Sequence, residues 1–527
     1  MKTSPRSVCA SPGSVLTALA LSLALGLPVA ADPGAGLWLS AGQNRDNTRH
    51  QATETAIGLD NVENLVTKWV TTTGGDVSAT PAVDGSSVYF PDYAGNLYKL
   101  DRETGAVVWQ RTFAELTGIP GNYARTTPAV AGNLLIMGDQ GGALFTSTRV
   151  MAINKNTGDL VWMTQLDDHP TAIVTQSATV FGNTVFVGAA SFEELFAAVI
   201  PGYECCSFRG FLAALDKNTG TILWKTYTTA EGFSGNGVWG SSPAVDPKRG
   251  QVYIATGNNY SAPESFLDCI EAAGDDTGAQ RACLDPYPTN YFDSIVAFDM
   301  ETGAVNWATT VIPFDVWTVE CLFGLPGCPD PEGPDFDFGQ APLIYTAGTG
   351  ADKADRLGVG QKSGIFWSLD PDSGAVVWST RVSPGGVVGG LQWGSASDGV
   401  RLYTSSANSE YKPWVLPDGT TTTAGIWSAL DPLTGEVLWQ TANPTGFNAG
   451  GAVTVANGVV YVGSQDPEGH MYALDAATGT IEWDFVSGGS CNAGAAVVNG
   501  SVYWGSGYGA FGPPNTFNNR FYAFELP

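Results

Sequence analysis

The chain is poor in basic residues. Its 527 residues include 24 Lys and Arg and three His, against 51 Asp and Glu, which gives a formal net charge of −27. A surface this acidic repels nucleic acid and anionic membranes, so neither is an expected partner. Many exported proteins are acidic simply for solubility, and we take that interpretation over attraction of a basic protein partner.

Other absences narrow the chemistry. The sequence contains no Cys-x-x-Cys-His, and its only histidines are His50, His169 and His470, so neither covalent haem nor a zinc site is expected. No long helical period stands out, whereas the 66 Gly suit tightly turned strands. The one long apolar run, Val15–Val29, is short for a membrane span, and nothing similar follows it.

That apolar run has the marks of a secretory signal. Two basic residues precede it and small residues suited to cleavage follow it. We therefore predict a signal peptide over residues 1–31 and one mature domain over residues 32–527, located in the periplasm or secreted. An uncleaved anchor is the alternative.

Export permits disulfides, and the cysteines are arranged accordingly. Of the eight cysteines, Cys9 precedes the apolar run and seven lie in the predicted mature region. Two pairs of these seven bracket irregular loops and are predicted to form local disulfides, one pair is adjacent in sequence, and one cysteine is left over and expected to be buried. These are Cys269 and Cys283, Cys321 and Cys328, Cys205 and Cys206, and Cys491.

One phrase recurs seven times. In the copy LAALDKNTGTILW an apolar run ends at Asp216, turns at Gly220 and resumes up to Trp224. Asp216 can accept bonds from backbone N–H groups of the turn, and Gly220 can adopt a positive φ. Seven copies cannot all occupy one site, so the repeated Trp is interpreted as a packing plug. The copies end at Trp109, Trp162, Trp224, Trp307, Trp378, Trp439 and Trp483.

The repeat predicts an all-β fold. Short strands with Gly and Trp at fixed places favour propeller blades of four strands. The segment Arg520–Glu525 resembles the first half of the phrase and Asn64–Trp69 the second half, so the two chain ends are expected to form an eighth, composite blade. Long insertions carry function in propellers, and the three here are Ser191–Cys206, Ser261–Tyr291 and Pro313–Phe338.

The phrase A-x-D-x-x-T-G-x-x-x-W resembles the tryptophan-docking motif of the quinoprotein alcohol dehydrogenases. The resemblance implies an eight-bladed β-propeller that binds pyrroloquinoline quinone (PQQ) and a Ca²⁺ or lanthanide ion and oxidises an alcohol. Electrons would then pass to an external cytochrome c. Non-enzymatic propellers of outer-membrane assembly carry related repeats, so a scaffold without cofactor is the alternative. A polymer-binding protein without turnover is a third.

The loops between copies carry a similar resemblance. It implies an aromatic floor under the quinone, an Arg that pairs with a cofactor carboxylate, a hydroxyl contact, and a Lys, where relatives have Arg, that polarises the quinone oxygens. It also implies a Gly-Leu-Gln-Trp contact segment. The floor is Trp239, the Arg is Arg125, the hydroxyl belongs to Thr175 and the Lys is Lys362. The contact segment contributes Gln392 and Trp393. Each of them is otherwise a plain loop or core residue.

The implied metal ligands are Asn258 and one of two adjacent acids, of which Glu193 is favoured over Glu194. The family's Asp-x-Trp-Asp pattern breaks here, because Thr318 follows Trp317. An insertion then leads to Pro-Asp-Phe-Asp-Phe-Gly, which makes Asp335 the displaced general base and a metal ligand, and Asp337 an additional ligand. A surface turn is the alternative.

The adjacent cysteines depart from many relatives by following the Arg segment at a distance. The pair Cys205–Cys206, the inserted acidic phrase and the missing acid after Trp317 all look like the polyvinyl-alcohol-dehydrogenase branch. A contact of this pair with the quinone is the functional expectation, and a purely structural ring is the alternative.

Overall fold

The fold was examined in a computed structural model, which describes Met1 and residues 36–142 and 148–527. Apart from Met1, the predicted signal peptide lies outside these described residues. Within them, no helix is both long enough and apolar enough to cross a membrane.

The described residues form eight blades of antiparallel strands. Blade 1 consists of Ala82–Val83, Ser87–Pro91, Asn96–Asp101 and Val107–Thr112. Blade 2 consists of Ala129–Ala131, Leu134–Gly138, Arg149–Asn154 and Leu160–Gln165. Blade 3 consists of Ala172–Ile173, Thr179–Phe181, Thr184–Ser191, Phe211–Asp216 and Ile222–Tyr227. Blade 4 consists of Ala244–Asp246, Gln251–Ala255, Ser294–Asp299 and Val305–Thr310.

The ring continues in the same way. Blade 5 consists of Leu343–Ala347, Ala354–Gly360, Ile365–Leu369 and Val376–Arg381. Blade 6 consists of Gly390–Leu391, Ala396–Ser397, Leu402–Ala407, Ile426–Leu430 and Val437–Ala442. Blade 7 consists of Thr454–Ala456, Val459–Gly463, His470–Asp475 and Ile481–Val486, with His50–Gln51 added in parallel. Two short ribbons lie outside the blades, Ser234–Gly235 with Asn259–Ser261 and Trp414–Val415 with Thr421–Thr422.

Blade 8 joins the two ends of the chain. Its strands are Ala496–Val498, Ser501–Gly505, Arg520–Glu525 and Val66–Thr72. The outermost strand, from the N-terminal region, pairs antiparallel with the C-terminal strand, Val66 opposite Glu525 and Thr72 opposite Arg520. The predicted eight-bladed propeller with a composite last blade is confirmed.

Six of the seven repeated Trp, and Trp69, dock on the glycine turn of the next blade, whereas Trp483 donates its Nε1–H to the Leu65 carbonyl. Trp162 donates its Nε1–H to the Lys217 carbonyl at 2.8 Å. Its ring covers Gly220, whose φ is +73°, and a Cβ there would come within 2.4 Å of the indole. Glycine is therefore required both by conformation and by space. The same contact recurs at Gly105, Gly158, Gly303, Gly374, Gly435 and Gly479.

The insertions hold short helices, which the sequence analysis treated as irregular loops. The described helices are α1 Phe113–Thr117, α2 Glu193–Val199, α3 Glu264–Ala273 and α4 Thr277–Ala282. The 3₁₀ turns are Val62–Asn64, Val319–Phe323, Gly350–Asp352 and Gly509–Phe511. In α3 only Phe266 and Ile270 are buried. Two apolar residues four apart are too short a pattern to mark a helix.

The cysteine pairing is confirmed. Disulfides join Cys269 to Cys283 and Cys321 to Cys328, and the first of these ties α3 to the end of α4. Cys205 and Cys206 form a third disulfide, between neighbours in sequence. Cys491 is free and buried.

Candidate active site

A cavity of about 480 Å³ opens where loops from around the ring converge. Most of the residues predicted for the site lie in its wall. They are Arg125, Thr175, Trp239, Asn258, Asp337, Lys362, Gln392 and Trp393. Their positions in sequence span nearly 270 residues, and they are brought together only because the blades form a closed ring.

Two indoles form an aromatic corner of the cavity. The rings of Trp239 and Trp393 meet edge to face, with centroids 5.4 Å apart. Thr175 Oγ1 donates to the Trp239 carbonyl at 3.0 Å and so fixes the segment that carries this ring. Gln392 Nε2 donates to the Gly389 carbonyl at 2.9 Å. The corner offers a flat apolar surface for a planar ring system.

Lys362 is a cation of this site. Its Nζ lies 2.9 Å from Asp335 Oδ1 and 3.2 Å from Asp337 Oδ2, and 5.6 Å from the centre of the Trp239 ring. Burial alone would lower the pKa of Lys362, but the carboxylates of Asp335 and Asp337 outweigh it and raise the pKa well above its ordinary value. The ammonium group therefore stays charged.

Asp337 connects three parts of the wall. Its Oδ1 accepts the Asn258 N–H at 2.7 Å, and its Oδ2 accepts the Trp239 Nε1–H at 3.0 Å in addition to facing Lys362. A Cβ on Gly257 would lie 3.0 Å from Asp337 Oδ1, so glycine at that position leaves room for the carboxylate. Asp337 thus links the Trp239 indole, the backbone N–H of Asn258 and the Lys362 ammonium.

The carboxylate at the start of α2 that faces the cavity belongs to Glu194, not to Glu193, which the sequence analysis favoured. Glu193 accepts the backbone N–H groups of Ser207 at 2.9 Å and Phe208 at 2.6 Å, and lies 3.4 Å from His169 Nε2. Glu193 therefore holds the loop that follows α2 in place. Burial, followed by the charge of the nearby Asp337, raises the pKa of Glu194 to about 7. A cation beside Glu194 would relieve both effects.

Two polar groups in the wall have no protein partner suited to them. The Nε of Arg125 is buried without a hydrogen-bond acceptor among the described residues, and the oxygens nearest to the guanidinium charge are the hydroxyls of Tyr93 and Tyr508 rather than a carboxylate. The guanidinium charge lies over the rings of Trp393, at 4.6 Å, and Phe511, at 5.2 Å. The Nδ2 of Asn258 donates to the Asn259 and Trp317 carbonyls, so its Oδ1 remains available to bind another group.

These free groups fit PQQ and a hard cation. An unpaired Arg suits a carboxylate of the cofactor, and the aromatic corner suits its flat rings. Carboxylate and amide oxygens are the ligands that Ca²⁺ prefers. The donors that face the cavity for such an ion are Glu194, Asn258 and Asp337.

Asp335 lies behind the wall rather than in it. Its side chain is almost fully buried, it has φ of +54°, and its backbone N–H donates to Asp315 Oδ1 at 3.0 Å. Burial raises the pKa of Asp335 well above its ordinary value; Lys362 opposes this, and the charges of Asp337 and Glu194 add to it. The carboxyl therefore binds a proton readily.

A further acid, Asp293, lies deeper. Both of its oxygens are buried and accept no hydrogen bond from an N–H or O–H group among the described residues. Burial and then the charge of Asp315 raise the pKa of Asp293 well above its ordinary value, while burial raises the pKa of Asp315 to about 7. Asp315 accepts the Phe336 N–H at 2.7 Å, which supports the backbone that carries the two site acids.

The adjacent cysteines are not part of the cavity wall in the described structure. Cys205 is exposed, and Cys206 is half-buried beside Ser261. They lie in the loop between α2 and the blade 3 strand Phe211–Asp216. This position supports the interpretation of a structural ring over a contact with the cofactor.

The sequence analysis missed the contribution of the last blades. Asn448, Gln465 and Tyr508 line the cavity, and Asn448 Oδ1 is buried without a donor among the described residues. Gln465 Nε2 donates to Asn492 Oδ1 at 2.8 Å. The phrase Asn-Ala-Gly occurs at residues 448–450 and again at residues 492–494, just before blades 7 and 8. This short repeat is a signal that could have drawn attention to the loop of Asn448, but it contains neither Gln465 nor Tyr508.

Comparisons with known proteins agree with this geometry. A family model described as outer membrane protein assembly factor BamB, built on PQQ repeats, matches residues 29–277 and 422–511. The chain belongs to this family of PQQ-repeat propellers.

Among curated relatives, this PQQ-repeat propeller is 31% identical to a polyvinylalcohol dehydrogenase of Sphingopyxis sp. (strain 113P3), over 83% of the chain and 66% of the relative. It is 30% identical to a polyvinylalcohol dehydrogenase of Pseudomonas sp., over 81% of the chain and 64% of that relative. The predicted resemblance to this branch of the quinoproteins is confirmed. The chain spans about two thirds of the length of these two relatives.

The fold has a close counterpart among solved structures. A quinohemoprotein alcohol dehydrogenase from Pseudomonas putida HK5 matches with a TM-score of 0.70, over 93% of this chain and 80% of that one. The sequence identity of this pair is 18%, so the likeness shows the propeller fold.

Proposed function

We propose that the PQQ-repeat propeller is an oxidoreductase that binds PQQ and a Ca²⁺ or lanthanide ion in the cavity and oxidises alcohols. The observation that carries this proposal is that Glu194, Asn258, the ammonium of Lys362 and Arg125, whose Nε has no hydrogen-bond acceptor among the described residues, all line one cavity. The relatives named polyvinylalcohol dehydrogenase favour polymeric secondary alcohols as substrates.

Each group in the wall has a distinct task. Arg125 would pair with a carboxylate of the cofactor, Trp239 would support its rings, and Thr175 and Gln392 would offer further contacts. Glu194, Asn258 and Asp337 would hold the metal ion. When bound, PQQ supplies a two-electron acceptor that no amino-acid side chain provides.

Proton removal is assigned to Asp335. Asp335 does not line the cavity, and its Oδ1 accepts the Lys362 Nζ–H at 2.9 Å, so it would act on a bound alcohol through Lys362, which does line the cavity. Lys362 orients the reacting oxygens as a point charge, without the two-pronged contact that Arg would make.

The setting is proposed to be the periplasm or the medium, with an external cytochrome c as electron acceptor. The predicted signal peptide supports export. The 527 residues contain no Cys-x-x-Cys-His, so a haem carried on another protein or segment is needed to take the electrons.

The alternative function is a propeller scaffold without cofactor, which the description of the family model favours. A scaffold has no need for a buried Lys that faces two carboxylates, nor for an unpaired Arg in a cavity wall. These groups cost stability unless they bind something.

Reconstitution tests the proposal. The purified mature chain is mixed with PQQ and either Ca²⁺ or a lanthanide, and dye reduction is followed with polyvinyl alcohol and a panel of short alcohols. We expect PQQ binding that depends on the metal and dye reduction that depends on the alcohol. A folded protein that binds no PQQ with either metal would establish the scaffold instead.

A further inference from the structure

An exposed apolar surface lies on the outer side of the cavity wall. Helix α2 and the turn Val319–Phe323 pack against each other and present large apolar side chains to solvent. The exposed fractions are 38% for Leu195, 55% for Val199, 51% for Leu322 and 65% for Phe323. Leu195 and Val199 lie one turn apart on the same face of the helix. We call these four residues the apolar patch.

The patch is connected directly to the candidate active site. Glu194, in the cavity wall, precedes Leu195 in α2, and Val199 is five residues further, about 7 Å along the helix axis. The turn that carries Phe323 follows Trp317, whose carbonyl accepts the Asn258 Nδ2–H at 2.9 Å. Helix α2 therefore carries the proposed metal ligand Glu194, and the turn Val319–Phe323 follows a residue that is bonded to the proposed ligand Asn258.

The two segments that carry the patch contain charges of a single sign. The segments 191–208 and 313–338 contain no Lys or Arg, and Glu204, Asp330 and Glu332 are exposed there. A second copy of this chain, with a net charge of −27, would be repelled, as would an anionic membrane. An apolar centre inside an acidic rim is complementary to a protein with an apolar contact ringed by Lys.

We propose that the apolar patch is the docking surface for the electron acceptor, a small basic redox protein of the c-type cytochrome class. This rests on the proposed function: oxidation of R₂CHOH to R₂C=O releases two protons and two electrons, and two one-electron acceptors must each take one. An acceptor on this patch has its redox group close to the wall at Glu194, which keeps the electron path short.

The test compares two acceptors. Wild type and Leu322→Ser/Phe323→Ser, both loaded with PQQ and Ca²⁺, oxidise the same alcohol with a small dye or with a basic mitochondrial cytochrome c. We expect dye reduction within twofold of wild type and cytochrome reduction at least tenfold slower. The matched control is Leu59→Ser/Val400→Ser, which removes two side chains that are 44% and 64% exposed elsewhere. It should leave both rates unchanged.

A charge variant tests the rim separately. Asp330→Lys/Glu332→Lys should slow cytochrome reduction at low salt, by about tenfold, and the difference should shrink as salt is raised. Equal losses with dye and cytochrome would overturn the proposal, because the patch would then support the cavity itself. Unchanged cytochrome reduction in both variants would also overturn it, and so would a wild-type dimer that the Ser variant dissociates. No dye reduction in wild type would instead refute the proposed function.

Discussion

At the scale of single residues, the acids of the site outnumber its two cations, Lys362 and Arg125. Lys362 faces Asp335 and Asp337, while Glu194, Asp315 and Asp293 lie nearby without a cation of their own. Sequence resemblance found Lys362, Asp335 and Asp337 because they sit in recognisable phrases. It could not separate Glu193 from Glu194, since that depends on where α2 begins. Nor could it place Asp335 behind the wall.

The first prediction separates the two site acids. Asp335→Asn should lower kcat by about 10² to 10⁴ fold, because the general base is lost. PQQ should still bind, because Asp335 does not line the cavity. Asp337→Asn should instead weaken metal retention, as measured by dialysis against chelator. Full turnover of the Asp335 variant with bound PQQ would remove Asp335 from the mechanism.

The second prediction concerns Asp293. Because its folded-state pKa is raised, the folded protein binds a proton that the unfolded chain releases above about pH 4, so stability falls as pH rises from there. Asp293→Asn removes this cost and should raise the free energy of unfolding at pH 8 by about 1 to 3 kcal/mol, with a smaller gain at pH 5. Denaturant unfolding of the cofactor-free protein measures it. Asp268→Asn, on an exposed face of α3, is the control, and equal stability of wild type and Asp293→Asn at pH 8 would contradict the account.

At the scale of elements, the structure of the repeated phrase was predictable because its turn is held by hydrogen bonds between residues close in sequence. Asp216 accepts two backbone N–H groups of its own turn at 2.9 Å, and the turn glycine takes the positive φ that the pattern indicated. The helices of the insertions were missed for the opposite reason. α3 is held by the contact of Phe266 with Phe233, with ring centroids 5.3 Å apart, which no local pattern reveals.

The third prediction isolates the Trp contact. Gly435 has φ of +76°, and a Cβ there would lie 2.4 Å from the Trp378 ring, whereas Gly458 has φ of +80° and open space. Ala at either position strains the backbone, but Gly435→Ala should cost about 1 to 3 kcal/mol more, because it also overpacks the Trp. Unfolding midpoints of the two variants give the difference. Equal losses would mean that the Trp ring moves aside freely.

At the scale of the whole molecule, closure of the ring sets the site. The eighth blade was predictable because each end of the chain carries half of the phrase. The contribution of Asn448, Gln465 and Tyr508 was not, because it follows from which loops a closed ring brings to the same cavity. The same closure leaves every blade with two neighbours, so that each docked Trp has a turn to cover.

The fourth prediction tests that closure. Removing residues 520–527 takes a strand from the middle of blade 8 and leaves Val66–Thr72 and Ser501–Gly505 without their shared partner. We expect aggregation or loss of cooperative unfolding, since unpaired edges associate. Removing only residues 526–527, which lie beyond that strand, should leave the unfolding transition in place. A monomeric, cooperatively folding protein without residues 520–527 would contradict the closed ring.

The most direct measurement of the central claim is equilibrium binding of PQQ to the purified chain with and without Ca²⁺, for wild type and for Glu194→Gln. The account predicts one PQQ per chain in the presence of the ion, and at least tenfold weaker ion-dependent binding for the variant. The site described above would be contradicted if the affinity of wild type for PQQ were the same with and without Ca²⁺. It would also be contradicted if Glu194→Gln bound PQQ as tightly as wild type in the presence of Ca²⁺.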